Sequence, residues 1–583
     1  MNNIFLFLKS IYIFEKKELK KKLSLINFFI KNIDLVNYFK FIFNRDKFNP
    51  IKIDEFKKYV KNLKKLKNIQ INDDKNITDI TLVESFINHA AYSLSNIIIA
   101  DLIRKLKGGK IISVIRKFDL KSEILFRSFG VKKFIYYKSP NFFVRVFYLL
   151  KAISINSNLR NFKQSINYKY KDIDVGLTSY DSYIRYLGVP TLNRIDHNFI
   201  VFFAENLYAA NFFQKKIFSI YKVKKLVQSE TQFSPLNTLF QIALKNKVEV
   251  FSRSGLENMT IRHYKTWKER YSYRGTFSQK LFDFIYFNFK HKCLKIINNL
   301  YNEKIKAKMF GVDEVVLGLS KQKKTFISKK NFLKLNNLDN KPVVVLFLSH
   351  LLDGNFNYGY RKNFKDIYSS TKFIINKISD IDNVNWIIKK HPNQDYFVAK
   401  LNFDKTISNL IKEKSNIILF DEKIDSSSLL KIADIALTVS GSVGVEYPAF
   451  NVEAIFYEKS YYSNLKFLNI SKPNLVLNKL KRLRKRNKIN LDYKNKCKIF
   501  LFIKDILTKN RSSLIPEYIP SRKLNEKKFW LEGNILLKKF SYNNDQLLNM
   551  FKFQLISKMR HTINLDIIKF KKNKINLQDY IDD

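Results

Sequence analysis

The chain has 583 residues, of which 46% are hydrophobic and 15% aromatic, which excludes a disordered polymer and, on length, a single ordinary domain. Lys and Arg number 106 against 51 Asp and Glu, a formal charge of +55, so anionic partners are favoured. Two cysteines, Cys293 and Cys497, exclude a disulfide framework and a cysteine-based zinc site, and fit a reducing compartment.

The positive excess is spread along the chain and travels with abundant Asn, Ile, Phe and Tyr, which reads mainly as codon bias. At the N-terminus charge arrives at Lys9, before any uninterrupted apolar core or small-residue cleavage site, so no signal peptide is expected. Nowhere do about 18 apolar residues run together, so no transmembrane helix is expected either. The expected location is cytoplasmic, with peripheral attachment to acidic lipids at the inner face of the plasma membrane as the form that the charge would favour.

Residues 1–75 are rich in Lys, Phe and Leu at helical spacing and predict a helical N-terminal extension. SFINHAAYSLSNIIIADLIRKLKGG then predicts an amphipathic helix stopped by Gly108 and Gly109, followed by the strand KIISVI, the helix KSEILFRSFGV and the strand KKFIYY. The alternation resumes with VKKLVQSE, SPLNTLFQIALKNK and VEVFSR, ending near residue 255. Residues 256–335 are more helical and charged, and close in a Lys- and Asn-rich linker. A second alternating block opens at PVVVLFLSH and runs through NWIIKK, NIILF, IALTVS and EAIFYE. Strand and helix in alternation with short joints predict parallel sheets covered on both faces. The expected fold class is therefore α/β, with two Rossmann-like doubly wound domains facing a cleft and helical N- and C-terminal extensions. The last segment, from about residue 521, predicts helices that brace the two domains.

Three strand ends of the second block carry polar groups. TVSGSVGVEYPAFN, residues 438–451, delivers a buried strand into Ser440, Gly441 and Ser442, with a helix starting near Val443 or Gly444. Amides at such a helix start suit a phosphate, and Glu446 one turn in suits ribose hydroxyls; a plain turn, with Glu446 complementing the helix dipole, is the equal alternative. WIIKKHPNQDYF ends a strand at His391 and Pro392. VVVLFLSHLLDGNFN ends another at Ser349 and His350, followed by Asp353 and Gly354. Two of only seven histidines thus fall at equivalent strand ends, where a doubly wound sheet binds ligands.

These motifs, together with VGLTSYDSYIRYLGVPTLN at 175–193 and SPLNTLFQIALKNKVEVFSR, resemble the capsule-polysaccharide biosynthesis family. That family includes Kdo-transferase-like surface-glycan glycosyltransferases of GT-B arrangement. The resemblance spans roughly residues 80–470 and is densest over 343–457. It implies an acceptor-side domain over 76–335, a nucleotide-sugar domain over 336–520 and a helical C-terminal segment over 521–583. It also implies a nucleotide-sugar donor as substrate and a glycan or lipid-linked acceptor; with no Asp-x-Asp motif in a convincing loop, no obligatory cofactor or divalent ion is expected. The family's His-Pro histidine falls on His391, at the nucleotide phosphate, with Ser349, Ser440, Gly441, Ser442, Gly444 and Glu446 completing the donor site. His-Pro pairs also occur in bacterial sialyltransferases, which favours a CMP-sugar and makes Asp353, beside Gly354, a candidate base with His350. In those enzymes the Asp-Gly carboxylate belongs to the first domain, whereas here it opens the second. Asn451 and Val452 also depart from the Gly-Lys common in relatives.

On the acceptor side Asp181 and Arg185 lie four apart; an ion pair is the default reading and catalysis by Asp181 the minority one. His89 and Glu230 are alternatives for the base. The basic run NKLKRLRKRNK, 478–488, suits acidic headgroups or a polyanionic glycan and equally a solvated helix; no nucleic-acid module is present. Glycerol- or ribitol-phosphate transfer from a CDP-activated donor, and a non-catalytic glycan- or membrane-binding relative, are the competing functions.

Overall fold

The structure is a computed structural model, and it describes residues 54–67, 79–87, 89–117, 119–138, 140–159, 161–254, 258–306, 324–355, 363–391, 404–516, 526–541 and 543–568. Most of the expected N-terminal extension and the run following Pro392 lie outside them.

The first block forms β1 (Ile80–Ser85), β2 (Lys110–Arg116), β3 (Lys133–Tyr137), β4 (Val223–Gln228), β5 (Glu249–Ser254) and β6 (Asn258–Tyr264). The second forms β7 (Val343–Phe347), β8 (Asn385–Lys389), β9 (Ile417–Leu419), β10 (Ile435–Thr438) and β11 (Glu453–Phe456), and a two-residue β12 (Asn510–Arg511) follows. Strands as apolar as Val343–Phe347, buried along their whole length, are stable only where helices cover both faces of a sheet. That is what is observed.

In the first sheet the spatial order is β12-β6-β5-β4-β1-β2-β3, with β1 to β5 parallel, β6 antiparallel to β5 and β12 antiparallel to β6. The second sheet is wholly parallel, in the order β11-β10-β7-β8-β9. Both sheets therefore wind outward in two directions from a central pair, β1 and β4 in one, β7 and β10 in the other. A crevice opens at the carboxyl ends of such a pair, because the following connections leave on opposite faces. The fold is α/β with two Rossmann-like doubly wound units, as the alternation predicts.

Two segments keep different company from what their place in the sequence suggests. The helix Gln279–Lys306, expected on the first domain's side of the linker, packs on the second unit's helix Leu491–Phe502: Tyr301 Oη donates to Asp505 Oδ2 at 2.8 Å, and Tyr286 Oη pairs with Asp492. Conversely, the C-terminal helix Gln546–Ser557 returns to the first unit, where Phe551 meets Phe251 edge-on at 5.5 Å. Trp530, in the helix Glu526–Lys539, packs on Phe56 and Tyr59 of the N-terminal helix Asp54–Lys67. The tail then passes between units: Thr562 N donates to Ile261 O at 3.0 Å and Asn564 N to Leu507 O at 2.8 Å.

Candidate functional site

The site is built from the ends of β7, β8 and β10. Beyond β7 the chain runs through Ser349 and His350 to Asp353, Gly354 and Asn355. His350 is buried, and its Nδ1 lies 3.6 Å from Asp353 Oδ1, just past direct hydrogen-bond length. His391, two residues beyond β8, stands edge-on to the His350 ring, with centroids 5.6 Å apart and planes at 73°. Because β7 and β8 are parallel neighbours with Phe347 level with Lys389, His391 comes level with Ser349 and one position short of His350, so both rings leave the same edge of the sheet.

Asp353 keeps 51% of its side chain exposed at the mouth of the crevice. Desolvation pushes its carboxyl up, but His350, His391 and Arg185 together outweigh that and hold it below its ordinary value. Arg185 comes from the first unit's helix Val175–Leu187, so the site draws charge from both units. Ser349 Oγ is buried with no hydrogen-bond partner among the described residues.

Past β10 the chain turns through Ser440, Gly441 and Ser442 into the short helix Val443–Ala449. The turn is held from below: Gly441 N donates to Thr438 Oγ1 at 3.2 Å, Ser460 Oγ to Ser440 O at 2.7 Å, and Tyr462 Oη to Gly441 O at 2.6 Å. Ser442 makes no side-chain cap to this helix. Gly444 has a packing reason of its own, since a Cβ there would collide with Tyr462 Oη and come within 3.1 Å of Phe456. Glu446 is mostly buried and lies 3.8 Å from Lys504 Nζ, which also contacts Asp505 at 3.2 Å. The anionic partner expected for ribose therefore already faces a lysine. Asn451 adopts φ +72°, a left-handed conformation that Asn tolerates and Gly favours.

Asp181 lies at the seam between the units, against the loop that carries Asp353. It is buried, and it accepts from Asn355 N at 2.7 Å and Asn355 Nδ2 at 3.1 Å across the seam between units. Beside it Tyr180 Oη donates to Asp366, and Thr191 Oγ1 donates to the same carboxylate at 2.6 Å. The first unit's crevice holds the two alternatives. His89 caps the helix Ala90–Lys107, accepting from Ala91 N at 3.2 Å, and burial with nearby Arg253 and Lys121 lowers it to about 4. Glu230 pairs with Arg274 at 2.8 Å.

Sequence reasoning missed Lys389, the last residue of β8. Burial above all, with opposing and assisting charges around it, lowers its ammonium to about 8, and it stands 5.1 Å over the Phe420 ring. Nothing in its sequence context marks it, because the cause is a helix and loop distant along the chain. Among the described residues no group of three or more His, Cys, Asp or Glu is placed to hold a metal ion.

No family model matches the chain, and no curated protein matches it. Solved structures do. The chain is similar to the Thermosulfurimonas dismutans KpsC β-Kdo 2,4 transferase at 10% identity and TM-score 0.26, over 48% of this chain and 79% of that one. It is similar to the wall teichoic acid polymerase TagF with CDPG at 10% identity and TM-score 0.21, over 84% and 98%. It is similar to Anabaena HepE in complex with UDP at 10% identity and TM-score 0.24, over 73% and 95%. At these identities and TM-scores the likeness carries no conclusion about this chain.

Proposed function

We propose that the chain is a glycosyltransferase that moves a sugar from a nucleotide-activated donor to a bacterial capsule or other surface-polysaccharide acceptor. The observation that carries this reading is the convergence of His350, His391 and Asp353 at the strand ends of the second sheet, within reach of Arg185's charge, with the Ser440–Ser442 turn ending the neighbouring strand β10. Fixed donors around a crevice suit a leaving nucleotide, whose phosphate gains charge as its bond to the sugar breaks. In this reading His391 and the Ser349 hydroxyl bind that phosphate. The acceptor hydroxyl attacks the anomeric carbon, the sugar–phosphate bond breaks, and the hydroxyl proton passes to Asp353, oriented by His350.

A CMP-sugar is the favoured donor, on the resemblance of His391-Pro392 and Asp353-Gly354 to sialyltransferase motifs, and the chemistry is proposed to need no metal. A lipid-linked glycan acceptor and a position at the inner membrane face complete the reading. The test is turnover with CMP-, CDP-, UDP- and GDP-activated donors, with and without chelator. Transfer of a sugar that survives chelation supports it. Turnover only of CDP-glycerol or CDP-ribitol moves the chain to polyol-phosphate transfer, and turnover lost to chelator and restored by metal contradicts metal independence.

A further inference from the structure

The helix Phe142–Ser157, beyond the edge strand β3 of the first unit, has two apolar faces. One is spent on the core: Tyr148, Ala152 and Asn156 are buried against the helix His197–Phe213. The other is open. Phe142 is 74% exposed, Phe143 81%, Val146 37%, Phe147 59% and Leu150 47%. At 100° per residue these five fill one continuous arc, and their apolar surface is on the order of 500 Å². A contiguous patch of that size is on the scale of the largest apolar patch of an ordinary monomer, which is often a functional surface.

Its surroundings identify what it binds. The helix contains no acidic residue, and Lys132, Lys133 and Lys138, all exposed, lie in the ten residues before it. Three exposed phenylalanines on a helix with no acidic residue, on a chain of net charge +55, complement an anionic lipid surface. The helix has 16 residues, about 24 Å at the usual rise, too short for a hydrocarbon core of about 30 Å. No helix among the described residues is long and apolar enough to cross a membrane.

We propose that Phe142–Ser157 is a docking helix that lies in the plane of an anionic bilayer, its Phe142, Phe143 and Phe147 rings below the headgroups and the exposed Lys138, just ahead of the helix, at the phosphates. It deepens the proposed function by naming the surface that would bring the first unit to a membrane-borne acceptor, but it stands on its own observations. The test is sedimentation of the full chain with vesicles of phosphatidylglycerol and phosphatidylcholine, compared with Phe143→Asp/Phe147→Asp and the milder Phe143→Ser/Phe147→Ser. The expected result is binding that falls at least tenfold in the Asp variant, falls less in the Ser variant, and weakens with salt and on pure phosphatidylcholine. Circular dichroism and nucleotide binding equal to the parent's would show both variants folded and keep this result separate from the fate of the donor site. Equal binding by parent and variants would overturn the proposal, as would no binding by the parent. So would loss of binding in Arg482→Glu/Arg484→Glu but not in the Phe variants, or a dimer that the Phe variants dissociate.

Discussion

Asp181 and Asn355, 174 positions apart in sequence, form a two-point clasp across the seam between the units: the amide and the side chain of Asn355 both donate to one buried carboxylate. The loop that carries Asp353 is thereby anchored two residues further on, and Gly354 between them allows the close approach, a Cβ there standing 3.0 Å from Asp181 Oδ2. The candidate base and the interdomain clasp are thus neighbours on one short loop.

Because hydrogen bonds to a charged acceptor contribute about 2 kcal/mol, Asp181→Asn should lower stability by about that amount. Thermal unfolding measures it. A role in catalysis predicts instead a fall in kcat with an unchanged midpoint, so the two readings of Asp181 separate in one variant.

Asp353 is held below the usual carboxylate value, so its charge is present above its unfolded value of 3.8 and is lost only as pH falls below that through the folded value. An acid limb in turnover between pH 5 and 7 must then belong to another group. Asp353→Asn should reduce kcat throughout that window while leaving the limb where it is, as a pH–rate profile would record.

Gly444→Ala should destabilise by about 1–3 kcal/mol, since the added methyl meets Tyr462 and Phe456 in a packed core. The double change Gly444→Ala/Tyr462→Phe removes the colliding oxygen and should recover part of the loss in a denaturant titration. A loss of nucleotide affinity with unaltered stability would instead return Gly444 to the donor site.

Glu205 shows the opposite titration. Burial pushes its carboxyl up to about 7, against the pull of Arg145 and Arg116. A raised acid is stabilising in its protonated form, so its contribution is whole below about 4.5 and is lost as pH rises through 7. The side chain retains some exposure, which limits the effect to about 1 kcal/mol. Glu205→Gln should raise the melting temperature at pH 8 relative to pH 5; an equal shift at both would contradict the assignment.

The sheets were readable because Val343–Phe347 and its parallel partners are apolar on both faces, and the sequence put His350 and His391 at strand ends of one sheet; that the two rings meet follows only from the adjacency of β7 and β8. What escaped depends on distance along the chain or on contrast. The Asp181–Asn355 clasp and the allegiance of Gln279–Lys306 join segments that no local pattern links. Gly444 reads as a phosphate loop because its partner, Tyr462, is a strand and a turn away. The docking helix has no polar face to contrast with its apolar one, so its period carries no signal of which side is exposed.

The most direct measurement is calorimetric binding of CMP, CDP, UDP and GDP to the parent protein and to His391→Ala. The account predicts saturable binding of one nucleotide, CMP first, weakened at least tenfold, or about 1.4 kcal/mol, by the substitution. A folded, monodisperse sample that binds none of the four, or binds one equally well without His391, would contradict it.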